Sequence, residues 1–467
     1  MAHSPQSAIV LPPWAGDVLR VLEGHGEAWA VGGFVRDSLL GRSVHDVDLA
    51  CSLPAEQSAQ VLEQNGFRVI PTGIKHGTVT ALIDGHAMEI TTFRTDGVYA
   101  DGRHPETISP ATTMEADLAR RDFTINALAW HPQRGLLDPF GGQEDLRDHL
   151  IRAVGVPDVR FQEDALRVLR ALRFSAELGF TIESGTAEAL ERHADRMTLL
   201  SGERIAAELT KLICGAHASD VLMTYPRVPS PIIPEIAACV ACPQVTPYHC
   251  YGVWEHIVRT LEQVPPEPLV RWAALLHDMG KPAVHDISTG RSHFYGHGKA
   301  SEAIAIRVAA ELHFPKAFTR DLALLVRHHD DEIRPQKQAV AKYLRKEGWN
   351  PDLFRTLCQL KIGDALAHAP EFRGRASQAR ELLDVLDEVL ADGEPLTRRD
   401  MAISGDDLKA RGHEPGPQMG AVLDALFDRV CDGKVANDAQ ALLDLAEELY
   451  RQSEIPAPPT PDTRPEA

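Results

Sequence analysis

The hydrophobic pattern of this 467-residue chain changes near residue 156. Before that point, short apolar runs alternate with turn residues, as strands do when loops and helices separate them: AWAVGG, DVDLA, TVTALI and AMEITTF. After it, segments such as EDALRVLRALRFSAELGF repeat their apolar residues at the helical period, and strand patterns almost cease. The pattern predicts a multi-domain α+β protein, with an α/β head of residues 14–155 and an all-helical remainder.

Length and loop signals divide the helical remainder further. A chain of this length is long enough for roughly two to four domains, and breaks lie near PRVPSPIIPE and DGEPLTRRD. We therefore expect a helical neck over 156–240, a helical body over 245–370 and a helical tail over 371–453. We expect residues 1–13 to form a loose leader and the Pro-rich segment 454–467 to be disordered.

The composition favours a protein of the cytoplasm. With 44% hydrophobic and 25% charged residues, the chain can bury sizeable cores. It has no apolar run of about 18 residues and no signal-peptide pattern, so we expect no membrane partner. Seven cysteines are too few, and odd in number, for a disulfide framework, which indicates a reducing compartment.

The charge balance leaves a nucleic-acid partner open. A net charge of −19 argues, as an average, against a nucleic-acid binder. Basic residues nevertheless cluster locally, in RRDF at 120–123 and at Arg167, Arg170 and Arg173. The distribution of charge steers a polyanion more than the sum does.

Two acidic residues lie close together in VHDVDLA, residues 44–50. On a strand, Asp46 and Asp48 would point to the same face, with their Cα atoms about 6–7 Å apart. One interpretation is a turn or a solvated edge strand. The other is a shared Mg²⁺ ion, because this cation prefers oxygen ligands and substrate phosphates.

A candidate phosphate cradle precedes the acidic pair. In AVGGFVRDSLLG, a strand-like run enters Gly32 and Gly33, and a predicted helix with Arg36 follows. Paired glycines admit a close phosphate approach, although a simple tight turn has the same pattern. Glu89 lies on another predicted strand, where it could complete the metal site or simply face solvent. A phosphate cradle beside a Mg²⁺ site predicts nucleotidyl transfer.

Two further segments combine arginines with carboxylates. Arg121 and Asp122 suit a triphosphate and a ribose hydroxyl, or else are ordinary surface charges at a helix start. Asp164, Arg167 and Arg170 recur every third residue, so we expect them on one helical face. Such an acceptor and donors could read the Watson–Crick edge of an amino-bearing base. The alternative is a common surface salt bridge.

Seven motifs in this order resemble the class II CCA-adding tRNA nucleotidyltransferases of the DNA polymerase beta superfamily. They are GGFVRD, DVDLA, KHGTVT at 75–80, RRDFTINALA, DPFGG at 138–142, EDALRVLRALRF and ERIAAEL at 203–209. The resemblance implies a polymerase-beta-like head and the addition of C, C and A to the tRNA 3′ end from CTP and ATP, with release of pyrophosphate. It also implies that the segment at 98–108 is a flexible loop that helps to switch from C to A addition.

The resemblance also implies roles for individual residues. Asp46 and Asp48 would hold the catalytic Mg²⁺ ions. The triphosphate would contact Gly33, Arg36 and Arg121, and the ribose would contact Asp122. Asp164 and Arg167 would select C or A, with Arg170 and Arg173 supporting the base and the phosphates. The helical segment at 403–448 would bind the tRNA elbow.

A second set of candidate ligands occupies the helical body and resembles an HD domain. Its stations are His256, His277, Asp278, His297, His328–Asp330 (with His329 as the candidate ligand) and Asp364. Imidazole and carboxylate ligands suit Mn, Fe, Ni or Zn. The resemblance implies a phosphatase or phosphodiesterase activity on 2′,3′-cyclic or 2′-phosphate ends.

Other interpretations of the whole chain remain open. It could add only CC or only A, or the HD domain could be the working enzyme while nucleotidyl transfer is vestigial. A non-catalytic RNA-binding scaffold is a third possibility. The CVAC segment at 239–242, with His249 and Cys250, could be a zinc site, but a single C-x-x-C motif favours core or surface cysteines.

Overall fold

The computed structural model describes residues 9–44, 46–74, 77–96, 108–393 and 395–452. Four predicted features therefore lie outside the described residues, in whole or in most of their length. They are the start of the leader, Lys75 and His76 of the KHGTVT motif, the loop at 98–108 apart from Ile108, and the C-terminal segment 454–467.

The strands are concentrated in the first third of the chain. They are β1 (Ala28–Val31), β2 (Asp48–Cys51), β3 (Arg68–Gly73), β4 (Thr78–Ile83), β5 (His86–Thr92), β6 (Arg94–Asp96), β7 (Ile108–Pro110), β8 (Ala129–His131), β9 (Gly135–Leu137), β10 (Leu150–Ile151) and β11 (Thr181–Ile182). Among the described residues, seven of them form one mixed sheet in the order β3-β4-β5-β2-β1-β8-β9. Strands β2 and β5 are parallel, whereas β1 is antiparallel to both β2 and β8.

Helices flank this sheet and form the rest of the chain. Those of the head and neck are α1 (Pro13–Glu23), α2 (Gly33–Leu39), α3 (Ala55–Gln64), α4 (Met114–Ala119), α5 (Gly142–Arg147), α6 (Pro157–Glu163), α7 (Leu166–Leu178), α8 (Ser184–His193), α9 (Gly202–Cys214), α10 (Ala218–Thr224) and α11 (Glu235–Ala241). Those that follow are α12 (Val253–Gln263), α13 (Pro268–Leu276), α14 (His297–Glu311), α15 (Lys316–His328), α16 (Lys337–Leu344), α17 (Pro351–Leu366), α18 (Arg375–Ala391), α19 (Gly405–Ala410), α20 (Pro417–Cys431) and α21 (Ala439–Gln452). The α+β multi-domain fold predicted from the periodicity is confirmed.

The central strand β1 is apolar throughout because both faces of the sheet are covered. Ala28 and Ala30 join the large core that also contains residues of α1 and α3. Trp29 and Val31 point to the other face and join a smaller cluster, which includes Met114 of α4. The alternation along this strand therefore assigns successive side chains to two different cores.

The large core continues from the head through the helices to α18, but the tail has a core of its own. This third cluster includes Leu408 of α19, Leu426 of α20 and Leu442 of α21, each fully buried. Searched over the same described ranges, no helix is both long enough and apolar enough to cross a membrane.

The structure corrects two local predictions. Strand β2 begins at Asp48, so Asp46 lies in the preceding loop and the two do not share a strand. Asp164 is not on a helix, because its backbone is extended (φ −141°, ψ 108°) between the end of α6 and the start of α7. Periodicity did not reveal this break, since the apolar residues keep a helical spacing on both sides of it.

An ion pair between a partly exposed arginine and a buried aspartate links the head to the neck. Arg170 of α7 donates from Nε and Nη2 to Oδ2 of Asp122 at 2.7 and 2.6 Å. The other oxygen of Asp122 accepts from the Phe123 N–H at 2.8 Å and from the Asn126 amide at 3.0 Å. Burial alone would raise the pKa of Asp122, but Arg170, Asn126 and Arg167 outweigh it and hold that pKa well below its usual range.

We expect the substitution Asp122→Asn to lower the free energy of unfolding at neutral pH by about 2 kcal/mol, because the partly exposed Arg170 loses its buried charged partner and keeps only Glu208. The folded pKa of Asp122 lies below its unfolded value of about 3.9. Its stabilising effect is therefore complete above that value and is lost as the pH falls through the folded pKa. Urea unfolding at several pH values should show the difference from wild type shrinking below about pH 4.

The substitution Asp158→Asn is the matched control, because Asp158 pairs with Arg192 at the exposed surface. Its effect on stability should be much smaller at every pH. A difference between wild type and Asp122→Asn that stayed constant from about pH 6 to about pH 3 would contradict the ion-pair account.

Candidate active site and metal cluster

A pocket of about 1160 Å³ lies between the head sheet and the helices α7 and α9. All eleven residues that the sequence suggested for binding a nucleotide or its metal line it. They are Gly33, Arg36, Asp46, Asp48, Glu89, Arg121, Asp122, Asp164, Arg167, Arg170 and Arg173. The chain therefore brings them together from segments more than a hundred residues apart, while their individual roles stay predictions.

Acidic residues occupy the part of the pocket formed by the sheet. Asp48 begins β2, and the parallel pairing of Leu49 with Ile90 puts it beside Glu89 of β5. The surrounding protein and the charges of Glu89 and Asp46 raise the pKa of Asp48 to about 6, although Arg121 acts in the opposite direction. Carboxylate oxygens are the donors that a divalent cation such as Mg²⁺ prefers, so these three residues fit such an ion chemically.

Arginines face the acidic residues from the neighbouring elements. The guanidinium of Arg36 donates to Asp37 at 2.8 and 2.9 Å and to Asn126 at 2.8 Å, which holds it against the pocket wall. Arg121 donates to the Asp117 carboxylate at 3.3 Å. A Cβ at Gly32, which has φ +68°, would lie 3.0 Å from this Arg121 side chain. Glycine at position 32 therefore permits both the left-handed turn and the close approach of the arginine.

Asp164 is held in place at the neck side of the pocket. Its Oδ1 accepts from the Leu166 N–H at 3.0 Å, and its Oδ2 accepts from Arg204 at 2.8 Å. Arg167 donates to Glu163 at 2.6 Å and to the Arg120 carbonyl at 2.8 Å. The shared helical face predicted for Asp164 and Arg167 is wrong, but both side chains still line the same pocket.

Helix α9 supplies two residues to which the sequence analysis gave no role. Arg204 binds Asp164, and Glu208 lies 3.5 Å from Arg170 and 3.3 Å from Arg173. Both belong to the ERIAAEL motif, where a spacing of four puts them on one helical face. That spacing was visible in the sequence, but the partners of the two residues, 35 to 40 positions upstream, were not.

The six predicted ligands of the helical body also converge. His256 lies on α12, His277 and Asp278 follow α13, His297 begins α14, His329 follows α15, and Asp364 lies on α17. The Nε2 atoms of His256 and His277 lie 3.3 and 3.2 Å from Asp278 Oδ2. Those of His297 and His329 lie 3.5 and 3.6 Å from Asp278 Oδ1. This donor set fits a transition metal.

The same cluster contains residues that the sequence analysis did not assign to it. Lys281 lies 2.6 Å from Asp278 Oδ2 and donates to Gln244 at 2.8 Å. The ring of His368 lies 5.3 Å from that of His256. Lys281 follows the HD dipeptide by three residues, a spacing the sequence did display.

The cysteines of the CVAC segment lie elsewhere. Cys239 and Cys242 are buried, whereas Cys250 is exposed. Cys239 packs against Met279, and Cys242 contacts His285 at 3.7 Å. Neither belongs to a group of three or more potential metal ligands within the part of the chain that the structure describes.

Comparison with protein families divides the chain into four matched segments. The Poly A polymerase head domain matches residues 28–152, and the probable RNA and SrmB-binding site of polymerase A matches residues 179–238. The HD domain matches residues 246–390, and a putative tRNA nucleotidyltransferase domain 2 matches residues 375–446.

Similar proteins cover nearly the whole chain. The CCA-adding enzyme of Leuconostoc mesenteroides is 32% identical over 448 residues, which cover 95% of this chain and 97% of that protein. The CCA-adding enzyme of Limosilactobacillus fermentum is 34% identical over 440 residues, covering 92% and 95%. A crystal structure of the Bacillus stearothermophilus CCA-adding enzyme in complex with CTP superimposes with a TM-score of 0.65 at 27% identity, covering 95% of this chain and 99% of that one.

Identity and coverage of this extent confirm the resemblance that the seven motifs indicated. They also imply that a divalent metal takes part in the reaction, which agrees with the three carboxylates in the pocket. The chain belongs to the family of class II CCA-adding enzymes, tRNA nucleotidyltransferases, and it carries an HD domain.

Proposed function

We propose that the chain adds C, C and A in turn to the 3′ end of tRNA, using CTP and ATP and releasing pyrophosphate. The observation that carries this proposal is one pocket that is lined both by three carboxylates, two on the sheet and one in the loop before β2, and by five arginines that the sequence suggested for nucleotide binding. The transfer of a nucleotidyl group from a nucleoside triphosphate to a hydroxyl requires a cation site, positive charge for the phosphates and groups that can bind a base, and the pocket contains residues suited to each. The similar enzyme from Bacillus stearothermophilus, solved with CTP, supports the choice of substrate.

The acidic residues would hold the metal. Asp46 and Asp48, with Glu89 beside them, would bind Mg²⁺, which would activate the 3′-hydroxyl and neutralise charge on the triphosphate. Arg36 and Arg121 would then contact the triphosphate directly. Both guanidinium groups are already held by neighbouring carboxylates, so they need little reordering when the nucleotide binds.

Asp164 and Arg167 would select the base. Asp164 accepts hydrogen bonds, as the amino groups of cytosine and adenine require, and Arg167 donates to their ring nitrogen or carbonyl. Arg204 would act as a positioning residue, because its hydrogen bond leaves Asp164 little freedom to rotate. Uracil and guanine present the opposite pattern to this pair and would be rejected.

Asp122 is proposed to contact the ribose only after a local rearrangement. Its two oxygens accept two hydrogen bonds each, from Phe123, Asn126 and Arg170. A carboxylate has about four such positions, so a ribose hydroxyl could bind only if Arg170 moved. Arg170 and Arg173 would otherwise support the base and the phosphates from α7.

The remaining segments would bind the tRNA and contain the candidate metal site of the HD domain. We propose the head over 14–155, the neck over 156–240, the HD domain over 245–370 and the tail over 371–453. The separate core of α19–α21 supports treating that part of the tail as a unit, whereas α18 at the start of the tail packs in the large core. We assign the tRNA elbow to the tail. Addition of only CC or only A is an alternative outcome that counting the nucleotides added per tRNA end would reveal.

We expect Asp46→Ala to lower nucleotide incorporation by about a thousandfold or more, because the cation site loses a ligand worth several kcal/mol of barrier. The measurement is the transfer of labelled CTP and ATP to truncated tRNA, with circular dichroism as a check on folding. Asp17→Ala, on an exposed ion pair of α1, is the matched control and should keep wild-type activity. Normal incorporation by the Asp46→Ala variant would refute the metal assignment.

We expect Asp164→Ala to lose base selection before it loses phosphate chemistry. Discrimination between CTP and UTP, measured as the ratio of kcat/KM values, should fall by about 10- to 100-fold, the range that one good base contact supplies. Arg204→Gln should shift the ratio in the same direction but less, since it releases Asp164 without removing it.

Glu203→Gln is the matched control for the α9 variant, because Glu203 pairs with His313 at the surface. Its nucleotide preference should equal that of the wild type. An unchanged CTP/UTP ratio in Asp164→Ala would defeat the proposal that this residue selects the base.

The converging ligands of the HD domain favour a second activity. We propose that this domain is a metal-dependent phosphohydrolase that acts on 2′,3′-cyclic phosphates or 2′-phosphate ends, with Mn, Fe, Ni or Zn. Such a metal would polarise the phosphate and lower the pKa of a bound water. The supporting observation is the burial of His256, His277 and Asp278, which exposes little or none of their surface to solvent.

We expect His277→Asn to abolish the hydrolysis of 2′,3′-cyclic AMP in the presence of Ni²⁺ or Mn²⁺, while CCA addition continues, because the two sites use different residues. His217→Asn, with a half-exposed side chain, is the matched control. Equal hydrolysis by wild type and His277→Asn would exclude this site. Affinity for tRNA with neither activity would instead support the scaffold interpretation.

A further inference from the structure

Phe174 lies at the meeting point of three arginines in the pocket between the head sheet and α7. Their guanidinium carbons lie 5.0 Å from the centre of the phenyl ring for Arg36, 5.2 Å for Arg170 and 4.1 Å for Arg173. The ring itself lines the pocket and is only 3% exposed. All three distances fall within the range of about 6 Å over which an aromatic face attracts a cation.

The three arginines come from both sides of the pocket. Arg36 belongs to α2 of the head, whereas Arg170 and Arg173 precede Phe174 on α7. A spacing of four puts Arg170 and Phe174 on one face of that helix. Arg36 comes from a distant part of the chain, so only the packing of the head on the neck brings it to this ring.

Positive charge is crowded around the ring. Burial lowers the pKa of Arg173, and the charge of Arg170 acts in the same direction, although Glu208 opposes both effects. Glu208 is shared between the two cations, at 3.5 Å from Arg170 and 3.3 Å from Arg173. The electron-rich face of Phe174 adds negative potential at this place without adding a charge.

A phenyl ring and a carboxylate differ in how they hold a guanidinium group. A carboxylate occupies its N–H groups and repels a phosphate, whereas a ring against the guanidinium face uses none of the N–H groups. Arg36 donates three of its five N–H groups, from Nε and Nη2 to Asp37 and from Nη1 to Asn126. The other two can bind phosphate oxygens while the ring continues to hold the guanidinium.

A residue of the head holds the ring in turn. The fully buried Phe123 and Phe174 meet edge to face, with ring centres 5.9 Å apart and planes inclined by 83°. Such pairs are attractive because the positive edge of one ring meets the negative face of the other. The contact fixes the tilt of the Phe174 ring, and with it the direction in which its faces point.

We propose that Phe174 is a positioning residue for nucleotide binding, whose aromatic face holds the guanidinium groups of Arg36, Arg170 and Arg173 where the nucleotide binds. This inference rests on the proposed nucleotidyl transfer and goes beyond it, because it assigns the placing of three arginines to the π-electron density of one ring. The arginines contact the nucleotide before and during the reaction, so weakening this hold raises KM more than it lowers kcat.

Stepwise fluorination of the ring separates its electron density from its packing. Amber suppression can install monofluoro-, difluoro- and trifluorophenylalanine at position 174 of the full-length chain. Each added fluorine draws electron density from the ring face while it changes the size of the ring little. We expect the Kd for CTP, measured by isothermal titration calorimetry without tRNA, to rise with each fluorine and to reach about tenfold with three. In the transfer assay with truncated tRNA, KM for CTP should rise in parallel, while kcat stays within about twofold.

Two further substitutions provide the comparison. Phe174→Leu keeps an apolar side chain but has no ring, so it should raise the Kd for CTP at least as much as three fluorines do. Phe354 is the matched control, because it is also buried but lies in the helical body, where it meets Tyr343 edge to face. The same fluorination at position 354 should leave the Kd for CTP unchanged. Circular dichroism checks that every variant remains folded.

The other outcomes refute either this role or the proposed function. A Kd for CTP that stayed constant across the fluorinated rings, in a chain that adds nucleotides normally, would refute the role of Phe174 and leave nucleotidyl transfer intact. An equal rise on fluorination of Phe354 would also refute that role, because the effect would not depend on the arginines. A wild-type chain that neither bound CTP nor extended tRNA would refute nucleotidyl transfer itself, and this role with it.

Discussion

The ion pair between the buried Asp122 and the partly exposed Arg170 joins the two sides of the pocket between the head sheet and the neck helices. Asp122 belongs to the head, and Arg170 to the first long helix of the neck, 48 positions later. Each is costly to bury alone, so the head and the neck are most stable when they meet at this point. Asp46, Asp48 and Glu89 consequently line the same pocket as the arginines of α7.

The acidic and basic side chains of this protein are distributed unevenly. A net charge of −19 would repel a polyanion if it were spread evenly. The pocket instead collects the guanidinium groups of Arg36, Arg121, Arg167, Arg170 and Arg173 around a wall that carries Asp46, Asp48 and Glu89. Several of these arginines are neutralised by carboxylates within the protein, which fixes their orientation before any phosphate arrives.

The HD domain orients its candidate histidine ligands through backbone carbonyl groups. Its histidines are fixed by backbone carbonyls, three of them supplied by the last turn before the histidine itself. The residues just before these three histidines therefore determine ring orientation locally. The packing of α12, α14 and α15 then brings His256, His297 and His329 to Asp278, which follows α13. The continuous core between head and body lets both centres share one scaffold although they share no residues.

The sequence by itself determined most of the elements, the family and the residues that meet in the pocket. Apolar alternation identified the strands, the helical period identified the helices, and seven ordered motifs identified the family, because each depends on residues near one another in the chain. Only the tertiary structure decided that Asp164 precedes α7, that Arg204 binds this aspartate and that Glu208 pairs with arginines of α7. It alone joined Lys281 to Asp278 and divided the histidines into two pairs. A periodic pattern records which face of a segment is buried, but not which distant side chain meets it there.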